Sequence, residues 1–223
     1  MYIPAPHAES NEDTLFDFIA GNPLGAFVTT SSSGELVATH MPWVIHRERG
    51  EHGALEGHIA RANSGHTAHL DLGADHRLSA LVIFTGPDAY ISPNWYASTI
   101  EHGKVVPTWN YVAVHVYGKA RFTADREFLS RHLAQLVSLH ESARPTPWSL
   151  SDAPREYIER QMQAIVGVEL AIERIEGKWK MSQNRPAQDV AGVVDNLRSS
   201  PVPEDRAVAE IVAARNQARL DNG

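Results

Sequence analysis

The sequence predicts a mainly β fold of the α+β class: a closed or nearly closed antiparallel barrel decorated by helices. Three observations predict it. Short strand-like segments stand at close spacing near the start of the chain, with only turns between them. The middle of the chain holds one long, strongly alternating run. After two helical segments a further alternating run follows, and it must return to the sheet. A parallel α/β sheet needs crossovers of about a dozen residues, usually helical, between successive strands, and the first three strands have none.

Taken in order, the chain opens extended and then turns helical up to about residue 20. Asn11 or Asp13 serves as cap, and Leu15, Phe18 and Ile19 lie on one face. Asn22-Pro23 ends this helix. Leu24 to Thr30 alternates and is rich in β-formers, Ser31 to Gly34 supplies a turn, and Leu36 to His46 reads as a second strand. A polar loop leads to a third, Ala54 to Ala60. Arg61 to Asp71 reads as a short helix after a loop, and Leu78 to Thr85 as a fully buried strand. Gly86-Pro87-Asp88 reads as a turn before a strand from Ala89 that Pro93 interrupts, and 97 to 107 as a loop. Asn110 to Phe122 is the clearest strand, with Val112, Val114 and Val116 facing one way. A helix capped by Thr123 or Asp125 runs to about His140, with Leu129, Leu133 and Leu136 in a stripe. Another covers Arg155 to Ile165, Val168 to Met181 is a late strand, and two helical segments flank Ser199 to Pro203. Residues 1–185 thus read as a barrel domain with inserted helices and 186–223 as a C-terminal helical extension.

Composition narrows the class. At 43% hydrophobic and 21% charged residues, the chain has the make-up of an ordinary globular protein. No apolar run reaches the roughly 20 residues of a membrane span, and no secretory leader is legible, so a cytoplasmic protein is expected. The absence of cysteine removes disulfides, thiolate metal sites and cysteine nucleophiles. A formal charge of −7 lowers the expectation of direct DNA binding. His66 and His69 share a helical face at metal-ligand spacing, but no third ligand completes a set, so solvated helix histidines are expected. Phosphate-cradling glycine motifs and the GxSxG and HExxH signatures are missing. Any phosphorylated ligand must therefore be held by side chains and by loop or helix-start amides.

Several stretches are distinctive: GPDAYISPNWY from Gly86, VPTWNYVAVHVYG from Val106, and IEGKWKMSQNR from Ile175. With Met1 to Pro4, Ala38 to Pro42 and Gly57 to Asn63, they resemble the PaiB family, described as FMN-binding negative transcriptional regulators. The likeness runs from residue 1 to about 197. It implies an FMN-binding split β-barrel of Greek-key type, shared with pyridoxamine phosphate oxidases, FMN as cofactor, and a homodimer that completes the flavin site. DNA as a partner comes from the family label alone. One departure is Ser64-Gly65-His66, where the family has a proline and then an aromatic residue.

The resemblance also implies site residues. His58 to Asn63 is the segment that approaches the phosphate, with Arg61 as a bidentate donor; the alternatives are a surface arginine and a strand histidine hydrogen-bonded in place. The strand Ala38-Thr39-His40 resembles the one whose backbone runs along the flavin ring edge. Thr29 and Thr39 are candidates for ribityl or ring contacts, or ordinary strand threonines. Lys180, Ser182 and Gln183 form a polar strand end that reaches phosphate or ring, or is simply exposed. Trp109 and Asn110, with Tyr111, belong to the ligand rim or to a dimer core. Two functions remain open: a flavin-binding regulator, and a flavin-dependent oxidoreductase of the pyridoxamine-phosphate-oxidase-like class.

Overall fold

A computed structural model describes residues 1–63, 65–66 and 77–221 of the chain. Its strands are β1 (Ala8–Glu9), β2 (Leu24–Thr30), β3 (Leu36–Pro42), β4 (Val44–His46), β5 (Ala54–Ala60), β6 (Arg77–Ile91), β7 (Thr108–Thr123) and β8 (Ile165–Lys180). The helices are α1 (Glu12–Gly21), α2 (Ala97–Glu101), α3 (Arg126–Glu141), α4 (Arg155–Gln163), α5 (Ala187–Arg198) and α6 (Pro203–Leu220). One eight-stranded sheet runs β3-β2-β6-β7-β8-β5-β4, with β1 paired to β8. Its first and last members, β3 and β4, are consecutive in the chain with Trp43 alone between them, so the sheet closes on itself as a split barrel. The short hairpins β2–β3 and β4–β5 are antiparallel, as expected for strands joined by turns.

The chain divides into two compact units, and β6, β7 and β8 each run from one into the other. One unit comprises Phe16–Phe84 and His115–Ile175. Phe27, Leu55, Val82, Phe84, Val116 and Leu170 are fully buried there. Trp43 is also buried, with its ring edge-to-face on Phe27 at 5.4 Å and its backbone N–H on the Pro23 carbonyl at 2.9 Å. Strands approach closely in this unit. A Cβ on Gly57 would lie 2.2 Å from the Met41 methyl, and one on Gly118 would lie 2.0 Å from the Ala171 carbonyl oxygen. A satellite core joins α3 and α4 through Phe128, Leu129 and Met162, with Leu133, Ile158 and Ile165 packed against it.

The other unit comprises Met1–Leu15, Thr85–Val114 and Glu176–Gly223. In it α5 and α6 form a helical pair around Val190, Val193, Leu197, Val208 and Val212. Gly192 lets α5 touch the chain at Trp95, where a Cβ would meet the carbonyl oxygen at 2.0 Å. The Asn216 amide of α6 donates to the Met181 carbonyl at 2.9 Å, fixing the end of β8.

Three expected features take a different form. The expected strand 36–46 breaks at Trp43, the pivot where β3 ends and β4 begins. The expected turn at Gly86-Pro87-Asp88 is absent: β6 runs unbroken for 15 residues. Its register with β2 covers only Leu81 to Ile83, so Pro87 lies beyond that pairing, where a missing N–H costs little. Residues 97–101 form a short helix instead of loop. Most of the helix expected from 61 to 71, residues 64 and 67–71, lies outside the described residues.

The close approach at Gly118 gives a test. Gly118→Ala should destabilise the protein by about 2 kcal/mol or more in urea titrations. Gly21→Ala, with nothing within 4 Å of the added carbon, should stay within about 1 kcal/mol of the parent. Equal effects would contradict the packing described.

Candidate functional site

Strand β5 is held on both faces. Leu55 and Ile59 enter the core, and Gly57 lies against Met41 and Trp43. On the other face Glu56 is fully buried. Its Oε1 accepts from Arg49 and, at 3.2 Å, from Arg131 of α3. Its Oε2 faces His46 Nε2 at 3.3 Å and His132 Nδ1 at 4.0 Å. Burial pushes the Glu56 carboxyl up, but Arg49, His46 and Arg131 together outweigh it and hold the group below the ordinary carboxylate value. Arg49 also reaches Glu169 of β8 at 2.7 Å, so one ionic network ties β4, β5, β8 and α3.

His58 stands two residues further along the same face. Its Nδ1 lies 3.0 Å from His132 Nε2, with the rings edge-to-face at 5.3 Å. Burial lowers the pKa of both; with the neighbouring His58, it brings His132 down from 6.5 to about 4. Both imidazoles are therefore neutral near pH 7, and one donates to the other.

Beyond β5 the chain delivers Arg61 and Asn63. The Arg61 backbone N–H bonds the Ala164 carbonyl at 2.8 Å, while its guanidinium donates to the carbonyls of Gln163 at 3.0 Å and Ile165 at 3.3 Å. Those carbonyls mark the end of α4 and the start of β8, so the guanidinium is oriented by main chain and remains exposed. Among the described residues no carboxylate is ion-paired with it. The cavity beside it, about 380 Å³, includes Glu159, whose carboxylate is already taken by Arg126 and Arg155.

Asn63 begins a directed polar chain. Its amide donates to Thr39 Oγ1 at 2.7 Å; Thr39 Oγ1 lies 3.1 Å from His66 Nε2, and His66 Nδ1 lies 2.8 Å from Thr29 Oγ1. The Nδ1–H tautomer satisfies every member in turn, since Thr39 then donates to Nε2 and Nδ1–H donates to Thr29. Burial lowers the His66 pKa, which keeps the ring neutral. His66 is not a solvated helix residue: it is fully buried and stacked on Phe27 at 5.1 Å. Its partner in the sequence reading, His69, lies outside the described residues, as does Ser64. Thr39 pairs in register with Phe27 and shares its face, whereas His40 points to the opposite, exposed side of β3.

Within the other unit the remaining expected residues also cluster. Asn110 is fully buried and donates to Ser182 Oγ at 3.0 Å. Gln183 clips the end of β8: its Oε1 accepts from the Met181 N–H at 2.7 Å and from His7 Nδ1 at 2.8 Å, and its Nε2 donates to the Trp179 carbonyl at 2.6 Å. Ser182 adopts φ 62°, a left-handed conformation these bonds enforce. Asn110, Ser182 and Gln183 are thus spent on shaping the turn. Lys180 donates to Thr108 Oγ1 and the Trp109 carbonyl, and the Trp109 side chain is 53% exposed.

Four functional-looking residues escaped the sequence reading, namely Glu56, His132, Lys178 and Arg185, and a fifth, His66, was assigned to the wrong setting. Alternation along β5 puts Glu56 beside His58 and offers a signal for the first; the others depend on partners distant in sequence. Among the described residues no group of three or more His, Asp or Glu side chains could hold a metal ion, and no helix is long and apolar enough to cross a membrane.

Known proteins are similar to this chain in sequence and fold. Residues 1–174 match the model of a family described as "Putative FMN-binding domain". An uncharacterized protein of Aspergillus fumigatus is 34% identical, over 98% of this chain and 99% of its own. The protease synthase and sporulation protein PAI 2 of Bacillus subtilis is 32% identical, over 95% and 96% respectively. The FAD and heme binding protein of Mycobacterium smegmatis superposes with a TM-score of 0.50 at 17% identity, over 78% of this chain and 73% of that one, a likeness of fold. Fold and family match together define a split-barrel protein of the flavin-binding class. The chain belongs to the PaiB family of FMN-binding domains.

The residues present fit that cofactor. A guanidinium without a carboxylate partner and a carboxamide past the end of β5 are donors, and a threonine oxygen on β3 an acceptor, of the kinds that a phosphomonoester and a polyol chain require.

The buried histidine pair sets a pH dependence. A base whose folded pKa lies below its unfolded one binds protons more readily when unfolded. The stability it confers is complete above about 6.5 and drains as pH falls toward about 4. Unfolding free energy should drop by about 1–3 kcal/mol between pH 7 and 4.5, and His132→Phe should remove more than half of that slope. An unchanged slope in the variant would contradict the assignment.

Proposed function

We propose that the chain holds FMN non-covalently at a two-fold interface between two copies of itself. The phosphate sits on Arg61 and Asn63 at the exit of β5, and the ribityl and flavin run along Thr39 and the main chain of β3 as far as His40. The observation that carries this reading is Arg61: exposed, aimed by two main-chain carbonyls, and ion-paired with no carboxylate among the described residues. A cation oriented in advance and left without a counter-ion favours a phosphate at small entropic cost. The exposed outer face of β3, with Leu36 78% accessible, supports a second copy as the covering partner.

When bound, the isoalloxazine supplies the redox chemistry, and the chain's residues bind and orient it. Thr39, fixed by Asn63 and His66, has its hydroxyl proton directed to His66 Nε2, which leaves an oxygen lone pair and the second Asn63 amide hydrogen for the cofactor. The family resemblance adds a part in negative transcriptional regulation, exerted by this flavin-bound dimer. It predicts a gel shift of operator DNA at low salt, and no shift at micromolar protein would remove direct DNA contact.

Arg61→Ala should weaken FMN binding about tenfold or more in flavin fluorescence titrations while leaving riboflavin affinity nearly unchanged. Equal losses for both ligands would overturn the phosphate assignment.

A further inference from the structure

Three cations gather where β8 ends, and the groups that hold them are all neutral. Lys178 is only 8% exposed; its Nζ donates to the Tyr2 carbonyl at 3.1 Å and lies 5.2 Å from the Tyr111 ring centre. Lys180, on the same face of the strand, donates to Thr108 and the Trp109 carbonyl. The Arg185 guanidinium lies 4.5 Å over the Tyr96 ring. Of the nearby carboxylates, Glu9 pairs with Arg215 at 2.5 Å, while Asp189 accepts from the Ser98 N–H at 2.9 Å through Oδ1 and keeps a buried Oδ2 without a hydrogen-bond partner. Among the described residues none of the three cations is ion-paired with a carboxylate.

Such an arrangement costs free energy in the empty protein, because a half-buried ammonium loses hydration and gains no counter-charge. Burial lowers the Lys180 pKa, and Lys178 and Arg185 lower it further by repulsion. The surrounding frame holds the charges together regardless. Asn110 and Gln183 fix the turn, and Asn216 fixes the Met181 carbonyl. Beside the charges stands an exposed aromatic pair. Trp109 and Tyr90 meet edge-to-face at 6.0 Å, both about half exposed, and the Trp109 carbonyl itself holds Lys180.

We propose that this turn binds a second anionic ligand of nucleotide type, its phosphate on Lys178, Lys180 and Arg185 and its ring on Trp109. The proposal rests on the proposed flavin site, which places the FMN phosphate at Arg61 and leaves these three positive charges unmatched by the cofactor. Ring and phosphate side by side are the complement of what the turn offers: stacking on an indole face and charge-assisted hydrogen bonds from two ammonium groups and a guanidinium.

Calorimetric titration of FMN-saturated protein with AMP and with adenosine tests it. AMP should bind at least about tenfold tighter than adenosine. Lys180→Gln should cost AMP about tenfold and Lys180→Arg should restore it, while FMN affinity, read by flavin absorbance, stays within about twofold throughout. Absence of AMP binding, or equal binding of adenosine, would overturn the proposal. Parallel loss of FMN and AMP in Lys180→Gln would also overturn it, because the charges would then serve the cofactor phosphate. Should the parent protein take up no FMN, the flavin reading fails by that absorbance alone, and the same AMP titration on flavin-free protein still decides this one.

Discussion

The architecture hangs on a carboxylate with no access to water. Glu56 is fully buried, and a charge in that position is tolerable only because Arg49 and Arg131 close on one oxygen while His46 and His132 face the other. These partners come from the loop after β4, from α3 and from β4 itself, and Arg49 extends the network to β8. Removing any one partner would leave uncompensated charge in the interior. β5 is therefore held on its outer face by ions and on its inner face by Leu55, Ile59 and the close approach of Gly57 to Met41. A strand fixed on both sides delivers Arg61 and Asn63, just past its end, to a defined place.

Cations in this protein fall into two sets, and the difference is informative. Arg49, Arg131, Arg126, Arg155 and Arg215 have carboxylate partners and serve structure. Arg61 and the group of Lys178, Lys180 and Arg185 have hydrogen bonds to neutral groups or ring contacts instead, as do the more scattered Lys119, Arg206 and Arg219. In a chain of net charge −7, carboxylates are abundant, so cations left without one are the economical places to look for bound anions. The neutral histidines complement this division. His58, His66 and His132 are kept uncharged by burial, so they add hydrogen-bond direction to the interior without adding charge.

Much of the fold was legible in the sequence, for local reasons. Leu24–Thr30 alternates and Ala54–Ala60 follows a polar loop, and the structure starts and stops both strands at those residues. Asn11 caps α1 through the Thr14 N–H, and Asp125 caps α3 through Glu127 and Phe128, as their side chains suggest. The illegible parts depended on distant partners. The break at Trp43 lies inside an unbroken run of β-formers, and only its bond to Pro23 and contact with Phe27 reveal a pivot. Gly86-Pro87-Asp88 carries every local mark of a turn, yet it lies inside β6, past the end of the register with β2. His66 looked like a surface helix residue because its partners, Thr29 and Thr39, are 37 and 27 residues away. The family-like motifs pointed to residues that do cluster, but side-chain use separated those that shape the turn, such as Gln183 and Asn110, from those that present charge.

The central claim is that the exit of β5 offers a ready-made seat for a phosphomonoester. The most direct measurement is a visible-absorbance titration of the parent protein with FMN and, separately, with riboflavin, which differs only by the phosphate. The account predicts saturable FMN binding, one per protomer, at least about tenfold tighter than riboflavin. Equal affinities for the two, or no spectral change with either, would contradict it.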